Sequence, residues 1–330
     1  MPPQESENRA SGAAAFAAAP ASWYYLASLA RLQRGPVRFD LPHGQSFVGF
    51  CGADEKPAVL SARCAHMGAD LALGCVRAGR LTCPLHGWEY GADGRCTHIP
   101  ATAHIPAFAR QTAFPAEVRG GHVFFFNRPQ PRFPLPFFDG LTPAHLLAAP
   151  PFEFTVDAPW YLVGANGFDL QHFRCAHDRT LVGEPTVDSP HPFAWRLRAG
   201  FSVTGSSGWD RLTRCFSGSH VDLSVTNWGG NLVLVTARFR RTISYGIVSF
   251  VPLDDHRTLV RDLVWVPRSR SALGRRWFDP LDARIRRGFI REFVRSDVQR
   301  SAGLRFDRRR MIEADSVLLA YLDWLRPLHR

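Results

Sequence analysis

Residues 64–86, CAHMGADLALGCVRAGRLTCPLH, constrain this chain more than any other stretch, because they pair Cys with His twice. Cys64 and His66 form the first pair, Cys83 and His86 the second, and 16 residues lie between His66 and Cys83. Two thiolates and two imidazoles could bind zinc, but a zinc finger groups its cysteines together and sets its histidines on a helix. Here each loop supplies one of each. That mixture suits a [2Fe-2S] centre in which one iron takes both thiolates and the other both imidazoles, which raises the reduction potential above that of an all-thiolate cluster. Gly68 and Gly87 let backbone N–H groups approach the cluster sulfurs, and Pro84 stiffens the second loop.

With CAHMGA, CPLHGWEYGADGRC and IPA, the segment 23–127 resembles the Rieske domain of Rieske non-haem iron oxygenases. Respiratory-type Rieske proteins carry an additional disulfide-forming Cys in each loop; Ala69 and Leu85 stand at those positions here. The resemblance is therefore to the oxygenase and ferredoxin branch. Cys51, Cys75, Cys96, Cys175 and Cys215 lack ligand spacing and read as small buried apolar residues. Seven cysteines at irregular spacing argue against a disulfide framework and for a reducing, cytoplasmic setting.

The organisation follows from composition. Residues 1–22, rich in Ala but with Glu5 and Glu7 where a signal peptide needs basic residues, read as a disordered tail. Short β-type runs and Gly turns over 35–127 predict a small all-β domain. The Pro-rich stretch 128–152 reads as a linker. From 153 to 330 the pattern is helical around DAPWYLVGANGFDLQHFRCAHD, strand-like from about 193 to 266, and helical again to the end. The fold class is thus α+β, with an antiparallel sheet and packed helices in the second, helix-grip-like domain. No apolar run reaches the roughly 20 residues that span a bilayer.

The second domain carries NGFDLQHFRCAH, in which Asn166, Asp169, His172 and His177 recur at helix-like intervals. Asp169 and His172 fall on one helical face, while the step to His177 requires the helix to bend or end. Two histidines and a carboxylate form a facial triad for mononuclear Fe(II), with positions left open for O2 and substrate. Asp297 is the chosen carboxylate, because Ile290, Phe293 and Val294 put it on the apolar face of its helix, where an unpaired acid is costly. Asp262 and Asp307 are its competitors. Glu292 points to solvent with the arginines.

The resemblance extends to this motif and to a late-helix Asp, covering nearly all of the chain after residue 22. It implies a head-to-tail homotrimer in which His86 of one copy, Asp169 of the next and then His172 bridge cluster and iron. Asn166 supports that network or caps the helix. It also implies a terminal oxygenase of the α-only kind, hydroxylating or demethylating a small apolar or aromatic substrate, with ring cis-dihydroxylation as the alternative. No dinucleotide fingerprint or plant-type ferredoxin Cys spacing is present, so electrons are expected from a separate ferredoxin, a flavin-dependent NAD(P)H reductase, or both. The rival reading is an electron-transfer protein whose second domain only binds a partner.

The charge of +11 arises from 40 basic and 29 acidic residues, with Lys56 the single lysine. A nucleic-acid partner would require a basic stripe with interleaved aromatics on a recognised fold. Instead the excess lies between Arg268 and Arg310, as a solvated helical face or a dock for an acidic protein.

Overall fold

Alternating runs and turns become sheets in the computed structural model, which describes Phe16 and residues 18–329. The chain divides into two compact units, one formed by residues 21–135 and the other by 136–330 with the segment up to Pro20.

The first unit is three small antiparallel sheets. Trp23–Ser28 pairs with His122–Phe126, whose five side chains are all buried. Val37–Leu41, Gln45–Cys51, Pro57–Ser61 and Ala113–Phe114 form a second sheet. Cys75–Arg77, Arg80–Thr82, Glu89–Tyr90 and Cys96–His98 form the third. The two Cys/His loops are connections, the first following Pro57–Ser61 and the second joining Arg80–Thr82 to Glu89–Tyr90.

The second unit is an eight-stranded antiparallel sheet. Its order runs Leu146–Ala148, Thr258–Pro267, Ile243–Pro252, Leu232–Phe239, His220–Trp228, Ala194–Val203, Arg179–His191, and Phe152–Val156 also pairs with Thr258–Pro267. Helices Trp160–Ala165, Asp279–Arg300 and Ser316–Leu325 pack with it around a core in which Phe168 stacks on Tyr321 at 4.3 Å. No helix among the described residues is long and apolar enough to cross a membrane, which says nothing of strands crossing as a barrel.

Three expectations need correction. The tail is shorter than 1–22: Phe16 is buried, stacks on Tyr161 at 4.4 Å and accepts a hydrogen bond from Trp160 Nε1, and Ser22 is also buried. Residues 1–15 and Ala17 lie outside the described residues. The stretch 128–152 is not a free linker, because Phe133, Leu135, Phe138 and Leu146 are buried and Leu146–Ala148 joins the large sheet. Proline removes an N–H donor but leaves neighbouring apolar side chains free to pack. Of the five cysteines read as buried, only Cys96 is; Cys75, Cys175 and Cys215 are exposed and Cys51 is half-buried.

Candidate active site

The cluster loops repeat one backbone pattern. Cys64 N donates to Ala69 O and Gly68 N to Cys64 O; in the second loop Cys83 N donates to Trp88 O and Gly87 N to Cys83 O. Gly68 and Gly87 adopt φ of 72° and 70°, the left-handed region where glycine carries no Cβ penalty. These turns bury both thiols and expose both imidazoles. The Nδ1 atoms of His66 and His86 converge to 3.1 Å, and the His66 ring stacks on Trp88 at 4.7 Å. Tyr90 Oη lies 3.1 Å from Cys64 Sγ. Burial pushes the Cys64 thiol up, so a thiolate at that depth needs a cationic partner. Inner sulfurs and outer imidazoles fit a two-iron cluster with mixed ligands.

In the second unit, the helix Leu170–His177 carries the two histidines. It ends at His177 because Asp178 takes φ 51°, a left-handed C-cap. The helix thus ends where the sequence required it to bend or end, and the two rings meet at 4.8 Å. His172 Nε2 and His177 Nε2 are 3.1 Å apart, and Asp297 Oδ1 lies 3.1 Å from the first and 2.8 Å from the second.

If protons alone held this group, both imidazoles would donate to Asp297 and face each other N–H to N–H. A central cation removes that conflict. Donors about 2.1 Å from a metal lie about 3.0 Å apart at right angles and about 3.4 Å apart at tetrahedral angles. The observed separations match an octahedral face, so the donor set fits a two-histidine, one-carboxylate site with open positions. Burial opposes ionisation of Asp297, yet hydrogen bonds and charge from His172 and His177 hold it below the usual carboxylate range.

The other named residues fall into place differently. Asp169 lies outside the helix, capping it by accepting from His172 N at 3.0 Å. The helical-face placement is therefore corrected: an Asp preceding a helix satisfies orphan N–H groups best from the N-cap. Asn166, expected to support the network or cap, sends Nδ2 to His172 Nε2 at 3.3 Å and Asp297 Oδ2 at 3.4 Å. Asp262 stands apart from the histidine pair, on the strand Thr258–Pro267. Asp307 is an exposed-loop cap that accepts from Arg309. Glu292 is exposed and pairs loosely with Arg295 at 3.8 Å.

Sequence reading missed the helix Gly208–Phe216 and the buried Arg179. Ser207 and Asp210, a Ser-x-x-acid start, signalled that helix, and Ser207 indeed caps it. Arg179 Nη1 donates to Asp210 Oδ1 and to His177 O, both at 2.7 Å, tying the helix to the histidine. Phe293 stacks on the His177 ring at 3.7 Å. Arg179→Met is expected to cost about 3 kcal/mol of stability in denaturant unfolding, because it leaves the buried Asp210 without its charge partner, with only Ser207 Oγ still donating to it. A loss under about 0.5 kcal/mol would contradict that role.

His172, His177 and Asp297 line a cavity of about 630 Å³ whose walls are mostly apolar. One side is the sheet face carrying Val225, Val233, Val235 and Val248; Phe293 and Val294 face it from the helix Asp279–Arg300. Trp209, Leu212 and Phe216 also line it while exposed to solvent, as residues at an apolar entrance would be.

Residues 22–109 match the Rieske [2Fe-2S] domain family. A probable 3-ketosteroid-9-alpha-monooxygenase oxygenase component from Rhodococcus rhodochrous is 36% identical over 150 residues, covering 46% of this chain and 34% of that protein. Aminopyrrolnitrin oxygenase PrnD from Pseudomonas fluorescens is 34% identical over 124 residues, covering 35% of this chain and 34% of its own. The match spans about a third of these relatives' length. Among solved structures, dicamba monooxygenase bound to dicamba has a TM-score of 0.71 at 16% identity, covering 94% of this chain and 97% of that one. NdmA of Pseudomonas putida CBB5 with caffeine has a TM-score of 0.71 at 21% identity, covering 92% and 89%. The chain therefore carries a Rieske [2Fe-2S] domain. Over nearly its whole length it shares the α+β fold of those two solved structures.

Proposed function

We propose that the chain is a terminal oxygenase component that hydroxylates or demethylates an apolar or aromatic substrate with O2. In this reading Cys64 and Cys83 hold the inner iron of the cluster and His66 and His86 the outer one. His172, His177 and Asp297 hold a mononuclear Fe(II), which supplies O2 activation when bound. The observation that carries it is the convergence of three donor atoms, at 2.8 to 3.1 Å, on the wall of an apolar cavity. The protein's own contribution is to order those donors, through Asp169 as cap, Asn166 across the triad and Phe293 against His177, and to seat the substrate beside them away from water.

Electrons would come from a ferredoxin, a flavin-dependent NAD(P)H reductase, or both, in the cytoplasm. They pass in a homotrimer from His86 of one copy through Asp169 of the next to His172. Support for the bridge is the position of Asp169 at the head of the His172 helix. Incubating reconstituted protein with apolar aromatic and steroid compounds under 18O2 tests the activity by mass spectrometry. Hydroxylation is expected to put one labelled atom in the product, and demethylation to give an unlabelled product lighter by one CH2, the inserted oxygen leaving with formaldehyde. Two labelled atoms would mean ring cis-dihydroxylation. A reduced cluster that O2 reoxidises no faster than in His172→Ala would mean an electron-transfer protein instead.

The cluster ligands have their own test. His66→Cys is expected to shift the optical and EPR spectra toward the all-thiolate type and to lower the potential by on the order of 100 mV or more. Unchanged spectra would remove His66 from the ligand set.

A further inference from the structure

The sheet face that walls the cavity is apolar but for Arg179 and Ser244, which have hydrogen-bond partners, and Asp262, whose Oδ1 has none. Asp262 lies on the strand Thr258–Pro267, paired laterally with Phe152 on one side and Val248 on the other. Along its own strand the residues two positions away, and so on the same face, are Val260 and Val264. All four neighbours on that face are therefore apolar, and none can donate a hydrogen bond. Asp262 lines the cavity, is 3% exposed, and its Oδ1 has no hydrogen-bond partner. The charged groups nearby are already engaged: Arg179 with Asp210, and Arg286 with Asp282, Ile243 O and Ser244.

An unpartnered buried carboxyl is costly, and sheets place Val or Ile at such positions without that penalty. Its retention in a cavity wall calls for a partner that enters the cavity. We infer that Asp262 is a specificity-determining residue that accepts a hydrogen bond from an N–H or O–H group on an otherwise apolar substrate. The partner is a neutral donor, since the cavity already holds two arginines and the site for a metal cation. Burial pushes the Asp262 pKa up to about 7, consistent with a carboxyl that meets a neutral group without a counter-charge. This inference rests on the cavity being the substrate site, as proposed above. It deepens that reading by naming the chemistry of the ligand.

The test needs neither O2 nor turnover, so its failure is distinct from failure of the oxygenase reading, which labelled-oxygen incorporation decides. The probes are 1-naphthol, 1-naphthylamine and 1-methylnaphthalene, alike in shape but differing in the donor. Titration calorimetry on the cluster-loaded protein gives their Kd values in wild type, Asp262→Leu and Asp262→Val. Leu and Val suit the apolar surroundings, and circular dichroism checks that each variant folds. The expected result is that the preference for naphthol and naphthylamine over methylnaphthalene falls about tenfold or more in both variants, as for a lost buried hydrogen bond. An unchanged preference in either folded variant overturns the inference, as does failure of wild type to bind any of the three probes.

Discussion

Asp297→Ala is expected to lose the mononuclear iron and, with it, more than about 100-fold of turnover, while the Rieske spectrum stays that of wild type. Asp297 Oδ1 touches both imidazoles, at 3.1 and 2.8 Å, and brings the only negative charge to the triad. Without it, two neutral imidazoles face a divalent cation with no charge compensation. The fold should tolerate the change, because the N–H of one imidazole can then donate to the ring nitrogen of the other across 3.1 Å. Iron analysis and the cluster's absorption are read on the same sample. Full iron and full turnover in this variant would remove Asp297 from the site.

The second large effect concerns Asp169. Its carboxylate caps the His172 helix, and Asn is as good an N-cap as Asp. Asp169→Asn should therefore keep the helix, fill both metal sites and bind substrate. What it removes is the charge that would let a carboxylate hold imidazole N–H groups of two chains at once. Electron transfer from the reduced cluster should slow by about 100-fold or more, read as single-turnover stopped-flow oxidation after metal content is checked. Wild-type rates would sink the bridge. Asp169→Ala separates cap from charge, since it should in addition lose about 1 kcal/mol of stability.

The sites differed in how much of them the sequence carried. The Cys64–His66 and Cys83–His86 loops are local structures, each set by a few residues and one glycine, so spacing alone described them. A 3.6-residue stripe puts Asp297 on the apolar face of its helix, and the stacking of Phe293 on His177 shows what that face meets. The N-cap position of Asp169 was not legible, because it depends on the chain leaving helical geometry there, where ψ is 97°. Phe16 lay hidden in an Ala-rich run, where a single aromatic gives no period, although Trp160 and Tyr161 enclose it. Cysteine exposure followed strand and helix orientation at each site and not residue type. Asp262 gave no signal in sequence beyond an acid in an apolar run; only strand pairing reveals that its neighbours are Phe152 and Val248.

Whether one chain holds both an electron-carrying cluster and a separate iron beside an apolar cavity comes down to a count. Iron and acid-labile sulfide measured per chain on protein reconstituted anaerobically should give three irons to two sulfides, the third iron lost from His172→Ala with both sulfides kept. Two irons to two sulfides in the wild-type protein, unchanged in that variant, would contradict the account.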